Sequence, residues 1–321
     1  MQRLTIDTGT TVVAGLEFIE RGGCALCLSR EARVEHEFRD IPVLRCARCG
    51  FIYSARLLSP EGLSAYYSHG FGGDRHRRGQ SVNACVNLAV LRRLLDIRTL
   101  RSVLDIGTGY GFFLHVLQRA TGLTGVGVEL SEQEARYARD ELALRVIDRP
   151  LEESGLPRDE FDLVTAFEVI EHTVDPIDFL RQLRTHARPG GYLLIATDNF
   201  DGRLVRALGP AFPKWIPHAH ISHLSYPTLR DAIGRAGDLE IVAARSLNPW
   251  EMLARTWLYR IRARPVAAAD AFDLAATLRS EMGAGYAMHG LRRWLNPLWS
   301  RLALSHRMDG SIMYVLARRT R

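Results

Sequence analysis

The stretch Val103-Leu104-Asp105-Ile106-Gly107-Thr108-Gly109-Tyr110-Gly111 decides the fold of this chain. It begins as an apolar run typical of a buried strand and passes into three glycines at alternate positions. A helical pattern follows from Phe112. Glycine suits such a turn because the backbone can bend tightly and approach a ligand with no Cβ in the way. The stretch therefore predicts a strand, a ligand-binding loop and a helix.

Strand and helix patterns alternate on both sides of this turn, from Ser81 to Leu247. Such alternation is typical of a parallel sheet with helices on both faces. We therefore expect an α/β fold with a Rossmann-like doubly wound sheet, to which a last strand at 311–317 returns after a helical insertion. The predicted core strands are 102–106, 125–129, 144–147, 161–166, 192–197 and 239–246, and the predicted helices are 82–97, 112–120, 132–141, 176–187 and 227–236.

Two carboxylates indicate the ligand of this sheet. Glu129 ends the second core strand, 22 residues after Gly107, and a carboxylate there can accept hydrogen bonds from both hydroxyls of a ribose. Asp105, just before the glycines, would repel a pyrophosphate but suits a cationic group. The pair predicts an adenosine-type ligand with a cationic portion and argues against a dinucleotide.

These residues resemble the class I S-adenosylmethionine-dependent methyltransferases, whose first motif has the form Asp-x-Gly-x-Gly-x-Gly. The stretches 127–130, 161–168 and 188–192 agree with later motifs of that family. The resemblance implies S-adenosyl-L-methionine as cofactor, with its methionine end in the glycine loop. The implied cofactor-binding residues are Asp105, Gly107, Thr108, Gly109, Gly111, Glu129, Asp148 and Phe167, with Leu151 as a further candidate near the adenine. The alternative is a sheet that binds a dinucleotide or has lost its cofactor site.

A glutamate-histidine motif, Glu168-Val169-Ile170-Glu171-His172, follows the fourth core strand at the edge where the substrate meets the cofactor. If this turn is helical, Glu168, Glu171 and His172 share one face, because they are three and four residues apart. They could then bind a divalent metal or present His172 as a general base. Three later histidines could complete such a site: His218, His220 and His223.

The motif is similar to that of ubiquinone-type O-methyltransferases and of small-RNA 2′-O-methyltransferases, where Glu-x-x-Glu-His plus a later His binds a metal that activates a hydroxyl. The matching later position is His223. The resemblance implies Glu168, His172 and His223 as catalytic residues, and a second metal, Mg²⁺ or another divalent ion, on Glu168, Glu171, His172 and His223. The alternative is a metal-free pair that orders the loop by hydrogen bonding.

Four of the five cysteines form two Cys-x-x-Cys pairs, Cys24 with Cys27 and Cys46 with Cys49. This spacing predicts a four-thiolate zinc ribbon, with a closed and structural metal site. Two disulfides or a redox pair are the alternatives, and the absence of an export signal disfavours disulfides. The segment resembles the zinc-containing N-terminal part of bacterial sugar and natural-product methyltransferases. That resemblance implies that Tyr66, Tyr67 and His69 help to close the substrate site, whereas the alternative is simple packing at a domain junction.

Changes in pattern divide the chain into four segments. We expect a zinc-binding module at 1–60, a connecting helix and flexible basic loop at 61–100, the methyltransferase core at 101–248 plus 309–321, and a helical insertion at 249–308. The chain has 42 basic and 36 acidic residues, and much of the surplus falls in the insertion. The insertion is interpreted as a substrate lid, a surface for lipid-linked acceptors, a helical cap or a homodimer contact.

The sequence as a whole predicts an enzyme that methylates an oxygen, or alternatively a carbon, of a small molecule, such as a sugar, a glycan or another pathway metabolite. The first alternative is a methyltransferase of ribosomal or transfer RNA with a zinc module, which the lack of an aromatic RNA-stacking pattern disfavours. The second is a non-catalytic, zinc-dependent binding protein on a degenerate fold. No apolar stretch approaches the roughly 20 residues of a membrane span, so we expect a cytoplasmic protein with no transmembrane segment.

Overall fold

A computed structural model describes residues 4–7, 12–16, 18–38, 41–59, 62, 73–262 and 286–321. Tyr66, Tyr67 and His69, and the middle of the predicted insertion at 263–285, lie outside the described residues. The strands are β1 Leu4–Asp7, β2 Val12–Leu16, β3 Phe18–Glu20, β4 Ala32–Glu37, β5 Pro42–Cys46, β6 Ile52–Ser54, β7 Arg56–Leu58, β8 Ser102–Ile106, β9 Thr124–Val128, β10 Arg145–Ile147, β11 Phe161–Phe167, β12 Ala187–Asp198, β13 Ser222–His223, β14 Leu239–Leu247 and β15 Ile312–Arg319.

The helices alternate with the core strands as the sequence predicts. They are α1 Asp74–Leu94, α2 Phe112–Thr121, α3 Glu132–Asp140, α4 Pro176–His186, α5 Arg203–Leu208, α6 Tyr226–Ala236, α7 Trp250–Arg262 and α8 His289–Ala303. Side-chain and proline caps mark several of their beginnings: Asp175 accepts hydrogen bonds from the amides of Ile177 and Asp178 ahead of α4, and Pro227 occupies the first turn of α6. Among the described residues, no helix combines the length and the apolar character needed to cross a bilayer.

Seven strands form the central sheet, in the order β10-β9-β8-β11-β12-β15-β14. The first five run parallel, and β15 lies between β12 and β14, antiparallel to both. Alternate residues of the strands face two apolar layers, so that Leu104 packs into one and Val103 into the other. This sheet confirms the predicted fold class, including the return of the last strand.

One expectation is wrong in the segment before the core. Residues 74–80, predicted to form part of a flexible basic loop, belong to α1, which begins eight residues before the predicted helix start. Asp74 explains this early start, because it lies in the first turn and pairs with Arg77 and Arg78 at 2.7 Å. An acid at a helix N-terminus and pairs at these spacings stabilise the first turns.

The N-terminal module is joined to the core by a shared sheet. Strand β13, from the core, pairs antiparallel with β6 and completes the four-stranded sheet β13-β6-β5-β4. The Arg21 guanidinium donates hydrogen bonds to the carbonyls of Ile221 and Val174, at 2.8 and 2.6 Å. The module therefore packs directly on the segment that carries the histidine cluster.

Candidate active site and cysteine cluster

The glycine loop lies between β8 and α2 and has no room for side chains. Gly107 has a φ of +66°, and a Cβ on it would lie 2.5 Å from Cγ2 of Val169. Gly109 has a φ of +57°, and its Cβ would lie 2.3 Å from Oε1 of Gln80. Left-handed backbone and close neighbours both require glycine here. The loop is thus fixed between the glutamate-histidine turn and α1.

Asp105 lies beneath this loop and is 2% exposed. Its carboxylate accepts hydrogen bonds from the hydroxyls of Thr108 and Thr165, at 2.7 and 2.5 Å. Burial raises the pKa of Asp105 to about 6, although the two hydroxyl hydrogen bonds oppose the shift. Asp105 therefore holds the glycine loop in shape while placing a carboxylate at the wall of the cavity.

Glu129 follows β9 and faces the same cavity. One carboxylate oxygen accepts a hydrogen bond from the amide of Gly109 at 2.7 Å, and the other accepts one from the amide of Ser131 at 2.8 Å. Burial, with the nearby carboxylate of Glu134, raises the pKa of Glu129 to about 7. A carboxylate oxygen can accept more than one hydrogen bond, so each oxygen remains able to accept a ribose hydroxyl.

Helix α1 supplies a residue that the sequence did not single out. Oε1 of Gln80 accepts a hydrogen bond from the amide of Tyr110 at 2.9 Å, and its Nε2 donates to Glu134 at 3.1 Å. His76, one turn earlier, lies 3.3 Å from Glu134. The polar contacts of Gln80 thus join α1 to the glycine loop, and no motif in the sequence indicated this.

A cavity of about 860 Å³ joins the loop to the glutamate-histidine turn. Its lining includes most of the predicted cofactor residues: Asp105, Gly107, Thr108, Gly109, Glu129, Leu151 and Phe167. It also includes Glu168 and His172 of the turn, together with Lys214 and His220. Gly111 is buried and lies outside this lining. Asp148 is also outside it, because it is exposed and pairs with Arg139 at 3.2 Å.

The glutamate-histidine turn does not form the expected shared face. Glu168 has a φ of +55°, and only the three residues Ile170–His172 form a turn, of the 3₁₀ type. Consequently Glu168 accepts a hydrogen bond from Lys214 at 3.0 Å, while Glu171 accepts one from the hydroxyl of Thr197 at 2.9 Å. A left-handed residue ahead of a tighter turn sends the two carboxylates in different directions.

A group of possible metal ligands does form, with a different membership from the predicted one. Ligand atoms of Glu171, His172 and His220 all lie within 4.8 Å of one another. Asp198 borders this group, with its Oδ2 3.9 Å from Nδ1 of His220. Glu168 is outside the group because it pairs with Lys214.

His223 is also outside the group and is fully buried. Its ring packs on Phe200 and Trp215, with centroid distances of 4.6 and 4.9 Å. Burial lowers its pKa to about 3, and neither ring nitrogen has a hydrogen-bond partner within the described part of the chain. Its strand β13 is held by Ile52 of the N-terminal module. This packing directs His223 into an aromatic cluster and away from the cavity lining.

Burial sets the charge of the groups beside the cavity. It raises the pKa of Glu171 to about 8 and that of Asp198 to about 7, and it lowers the pKa of His172 to about 4. His172 is therefore a neutral imidazole at neutral pH. Its Nδ1 lies 2.9 Å from the carbonyl of Ala219, so Nδ1 carries the proton and Nε2 is the proton acceptor.

The four cysteines of the N-terminal module converge. Sγ of Cys24 lies 3.4 Å from Sγ of Cys49, and Sγ of Cys27 lies 3.4 Å from Sγ of Cys46. All four sulfurs are within 4.8 Å of one another. These distances exceed the roughly 2.05 Å of a disulfide and approach the roughly 3.8 Å between ligands of a tetrahedral Zn–S₄ site. The cluster can thus hold one metal ion.

Comparison with known proteins decides the family. A methyltransferase domain profile matches residues 75–244, which is more than half of the chain. The chain belongs to the methyltransferase domain family. A chain of the complex between the Haloferax volcanii Trm112 methyltransferase activator and its methyltransferase shares the fold, with a TM-score of 0.50, 16% identity and coverage of 80% of this chain and 97% of that one.

Two curated relatives of this methyltransferase domain protein have different named activities. The chain is 35% identical to the ubiquinone biosynthesis O-methyltransferase of Bradyrhizobium diazoefficiens over 123 residues, which cover 36% of this chain and 48% of that protein. It is also 35% identical over 111 residues to the tRNA U34 carboxymethyltransferase of Shewanella amazonensis, covering 32% of this chain and 33% of that protein. The chain thus spans about a third to about half of the length of these two curated relatives.

Lys214 is a second residue of this methyltransferase domain protein that the sequence did not single out. It lines the cavity and pairs with Glu168, yet it belongs to no motif. Composition offered one signal, because Lys214 is the single lysine among 42 basic residues, all others being arginine. The position of that lysine, four residues before His218, could have placed it beside the histidine cluster.

Proposed function

We propose that this chain is an S-adenosylmethionine-dependent methyltransferase that methylates an oxygen of a small-molecule acceptor, such as a sugar or natural-product intermediate. The observation that carries the proposal is one continuous cavity, which joins Glu129 and the glycine loop to His172. Its volume of about 860 Å³ is in the range of small-molecule and cofactor sites. Membership of the methyltransferase domain family supports the same reaction.

The cofactor half of the cavity fits an adenosine with a cationic side chain. Glu129 is oriented by two backbone amides to accept from a ribose, and Asp105 places a carboxylate beneath the loop that would hold the methionine end. When bound, S-adenosylmethionine supplies an electrophilic methyl group. The protein residues contribute mainly by positioning the acceptor oxygen in line with it.

His172 is the proposed proton acceptor. Its Nδ1 donates to the carbonyl of Ala219, which fixes the ring with Nε2 free to accept the proton of the acceptor hydroxyl. Glu168 is proposed to act at the same end of the cavity through its pair with Lys214. His223 has no route to the acceptor in this geometry, because it is buried among aromatic rings outside the cavity lining.

The predicted second metal does not fit its predicted ligands. Glu168 is neutralised by Lys214, and His223 is separated from Glu171 and His172 by its packing. These four residues therefore do not form a site for Mg²⁺ or another divalent ion. For the cysteine cluster, in contrast, the donor set and the sulfur distances fit zinc, and we propose a closed structural site there.

Transfer RNA is the second candidate substrate, because one set of relatives is named for a tRNA modification and α7 and α8 carry several arginines. A binding protein without catalysis is the third candidate.

Incubation with methyl-tritiated S-adenosylmethionine and a bacterial extract separates the three candidate functions. We expect label in the small-molecule fraction, whereas ribonuclease-sensitive label would favour tRNA. Absence of S-adenosylmethionine binding in calorimetry would overturn the enzymatic proposal.

His172→Gln sharpens this experiment. The variant is expected to bind S-adenosylmethionine like the parent protein but to transfer the methyl group at least about 100-fold more slowly, because it lacks the proton acceptor. His115→Gln, at a half-buried position of α2 outside the cavity lining, is the matched control. Equal transfer rates in both variants would show that His172 accepts no proton.

A further inference from the structure

The single lysine of the chain lies in the acceptor half of the cavity. Nζ of Lys214 donates to Oε1 of Glu168 at 3.0 Å. The side chain is 37% exposed, and it lines the cavity together with His172 and His220. Lys214 therefore differs from a lysine in a surface ion pair, because its charged group borders the space in which an acceptor would lie.

The ion pair with Glu168 keeps this ammonium charged. Burial alone would lower the pKa of Lys214, but the negative charge of Glu168 outweighs it and raises the pKa above its ordinary value. In return, the Lys214 charge lowers the pKa of Glu168, so that this carboxylate is ionised. The cavity therefore contains a permanent cation.

The backbone of the glutamate-histidine turn is arranged around that cation. Glu168 adopts a φ of +55°, which is unfavourable for a residue with a side chain. This conformation directs its carboxylate to Lys214, whereas Glu171, three residues later, is turned to Thr197. The left-handed conformation of Glu168 thus coincides with an ion pair at the wall of the cavity.

We propose that Lys214 is the resident cation of the acceptor site, where its ammonium contacts the acceptor oxygen and stabilises it in ionised form, in place of a divalent metal. This proposal rests on the proposed methyl transfer. In the step, the acceptor proton passes to Nε2 of His172, and the oxygen forms a bond to the methyl carbon. The methyl–sulfur bond breaks with its electron pair left on sulfur, and His172 then releases the proton to solvent.

We expect the Lys214 ammonium and a divalent metal to exclude each other, because both would lie at the same end of the cavity. Lys214 lines the same cavity as His172 and His220, which are two of the three possible ligands. A divalent ion on Glu171, His172 and His220 would be repelled by the ammonium. Removal of the ammonium should therefore permit metal binding, and that is the first test.

Mn²⁺ is titrated into the zinc-loaded protein in the presence of S-adenosylhomocysteine, and free Mn²⁺ is followed by electron paramagnetic resonance. Lys214→Met is expected to bind Mn²⁺ about tenfold or more tightly than the parent protein. Lys214→Arg keeps the charge and should bind as weakly as the parent. Arg206→Met removes one exposed positive charge paired with Asp201 and serves as the control. Equal affinities of the parent protein and Lys214→Met would overturn the proposal.

A second measurement addresses the acceptor oxygen. 4-Nitrocatechol, whose ionised form absorbs visible light, is titrated with base in the presence of the same four proteins and S-adenosylhomocysteine. The parent protein should lower the apparent pKa of the probe by about one unit, which corresponds to tenfold stabilisation of the anion, and Lys214→Met should not. No difference between the two proteins would refute the oxyanion role.

Two controls separate this proposal from the proposed function. Thermal unfolding shows whether Lys214→Met is folded, and Lys214→Arg provides a second variant if it is not. Calorimetric titration with S-adenosylhomocysteine tests the cofactor half of the cavity alone. Failure of all proteins to bind S-adenosylhomocysteine would contradict the methyltransferase proposal, whereas normal binding with unchanged Mn²⁺ and probe results would contradict only the role of Lys214.

Discussion

Gly107→Ala tests whether the cofactor loop and the glutamate-histidine turn support each other. A Cβ on Gly107 would lie 2.5 Å from Cγ2 of Val169, which is about 1 Å closer than ordinary packing contacts of carbon atoms allow. Val169 is β-branched and lies between Glu168 and Ile170, so its side chain has little rotamer freedom. The strain must then be relieved by a shift of the loop or of the turn.

The size of the effect follows from comparison with Gly122→Ala. Gly122, just after α2, has a similar φ of +71°, but a Cβ on it would have no neighbour within 4 Å. Both substitutions place alanine in left-handed backbone, at about 1–2 kcal/mol each. Only Gly107→Ala adds the overlap with Val169, for which about 1–3 kcal/mol is typical of an overpacked core. Effects on the unfolded chain are the same in both and cancel.

Urea unfolding and calorimetric binding of S-adenosylhomocysteine measure the two consequences. We expect Gly107→Ala to lose about 1–3 kcal/mol more unfolding free energy than Gly122→Ala. We also expect it to bind S-adenosylhomocysteine about tenfold more weakly, equivalent to about 1.4 kcal/mol, while Gly122→Ala binds like the parent protein. Equal destabilisation, with equal and undiminished binding, would refute the argument that the Val169 contact fixes the loop.

Three further predictions concern single side chains. Glu129→Gln should weaken S-adenosylhomocysteine binding about tenfold, whereas exposed Glu132→Gln should not; equal affinities would remove Glu129 from the ribose site. Cys49→Ser should lose the bound zinc and several kcal/mol of stability, while Cys85→Ser keeps both, as metal analysis and thermal unfolding can show. Burial raises the pKa of Asp105 to about 6. The folded protein therefore keeps the proton of the Asp105 carboxyl up to a higher pH than the unfolded chain does. The stability that this protonation contributes is lost as the pH rises through 6. Asp105→Asn should therefore destabilise the protein less at pH 8 than at pH 5 in urea unfolding, by up to about 1.4 kcal/mol, and a pH-independent cost would contradict the shift.

The central sheet could be predicted because its strands are encoded locally. Buried parallel strands are short, largely apolar runs. The run at 102–106 is followed by Gly107, and the run at 161–166 is preceded by Glu160 and followed, after Phe167, by Glu168. The structure places strands at Ser102–Ile106 and Phe161–Phe167. The early start of α1 was missed because its first turns are polar and depend on Asp74 pairing with nearby arginines. Apolar periodicity gives no signal for such a helix end.

The membership of the acceptor site could be predicted only in part. Spacing in the sequence could associate His172 with the later histidines, but it could not show which of them would face the cavity. His220 and His223 are three residues apart, and their directions depend on whether the backbone between them is helical or extended. It is extended, because Ser222 and His223 pair with the N-terminal module in β13. A long-range strand pairing therefore decides which histidine lines the acceptor site.

This dependence gives the N-terminal module a role beyond stability. Strand β13 is held from the module side by Ile52 and Tyr53, which begin three residues after Cys49 of the Cys46–Cys49 knuckle. Ala219, whose carbonyl fixes the tautomer of His172, lies three residues before that strand. An ordered knuckle thus stabilises the strand pairing that lies three residues after the carbonyl bonded by His172. The proposed zinc site, although its cysteines are outside the cavity lining, can in this way influence the orientation of the proposed proton acceptor.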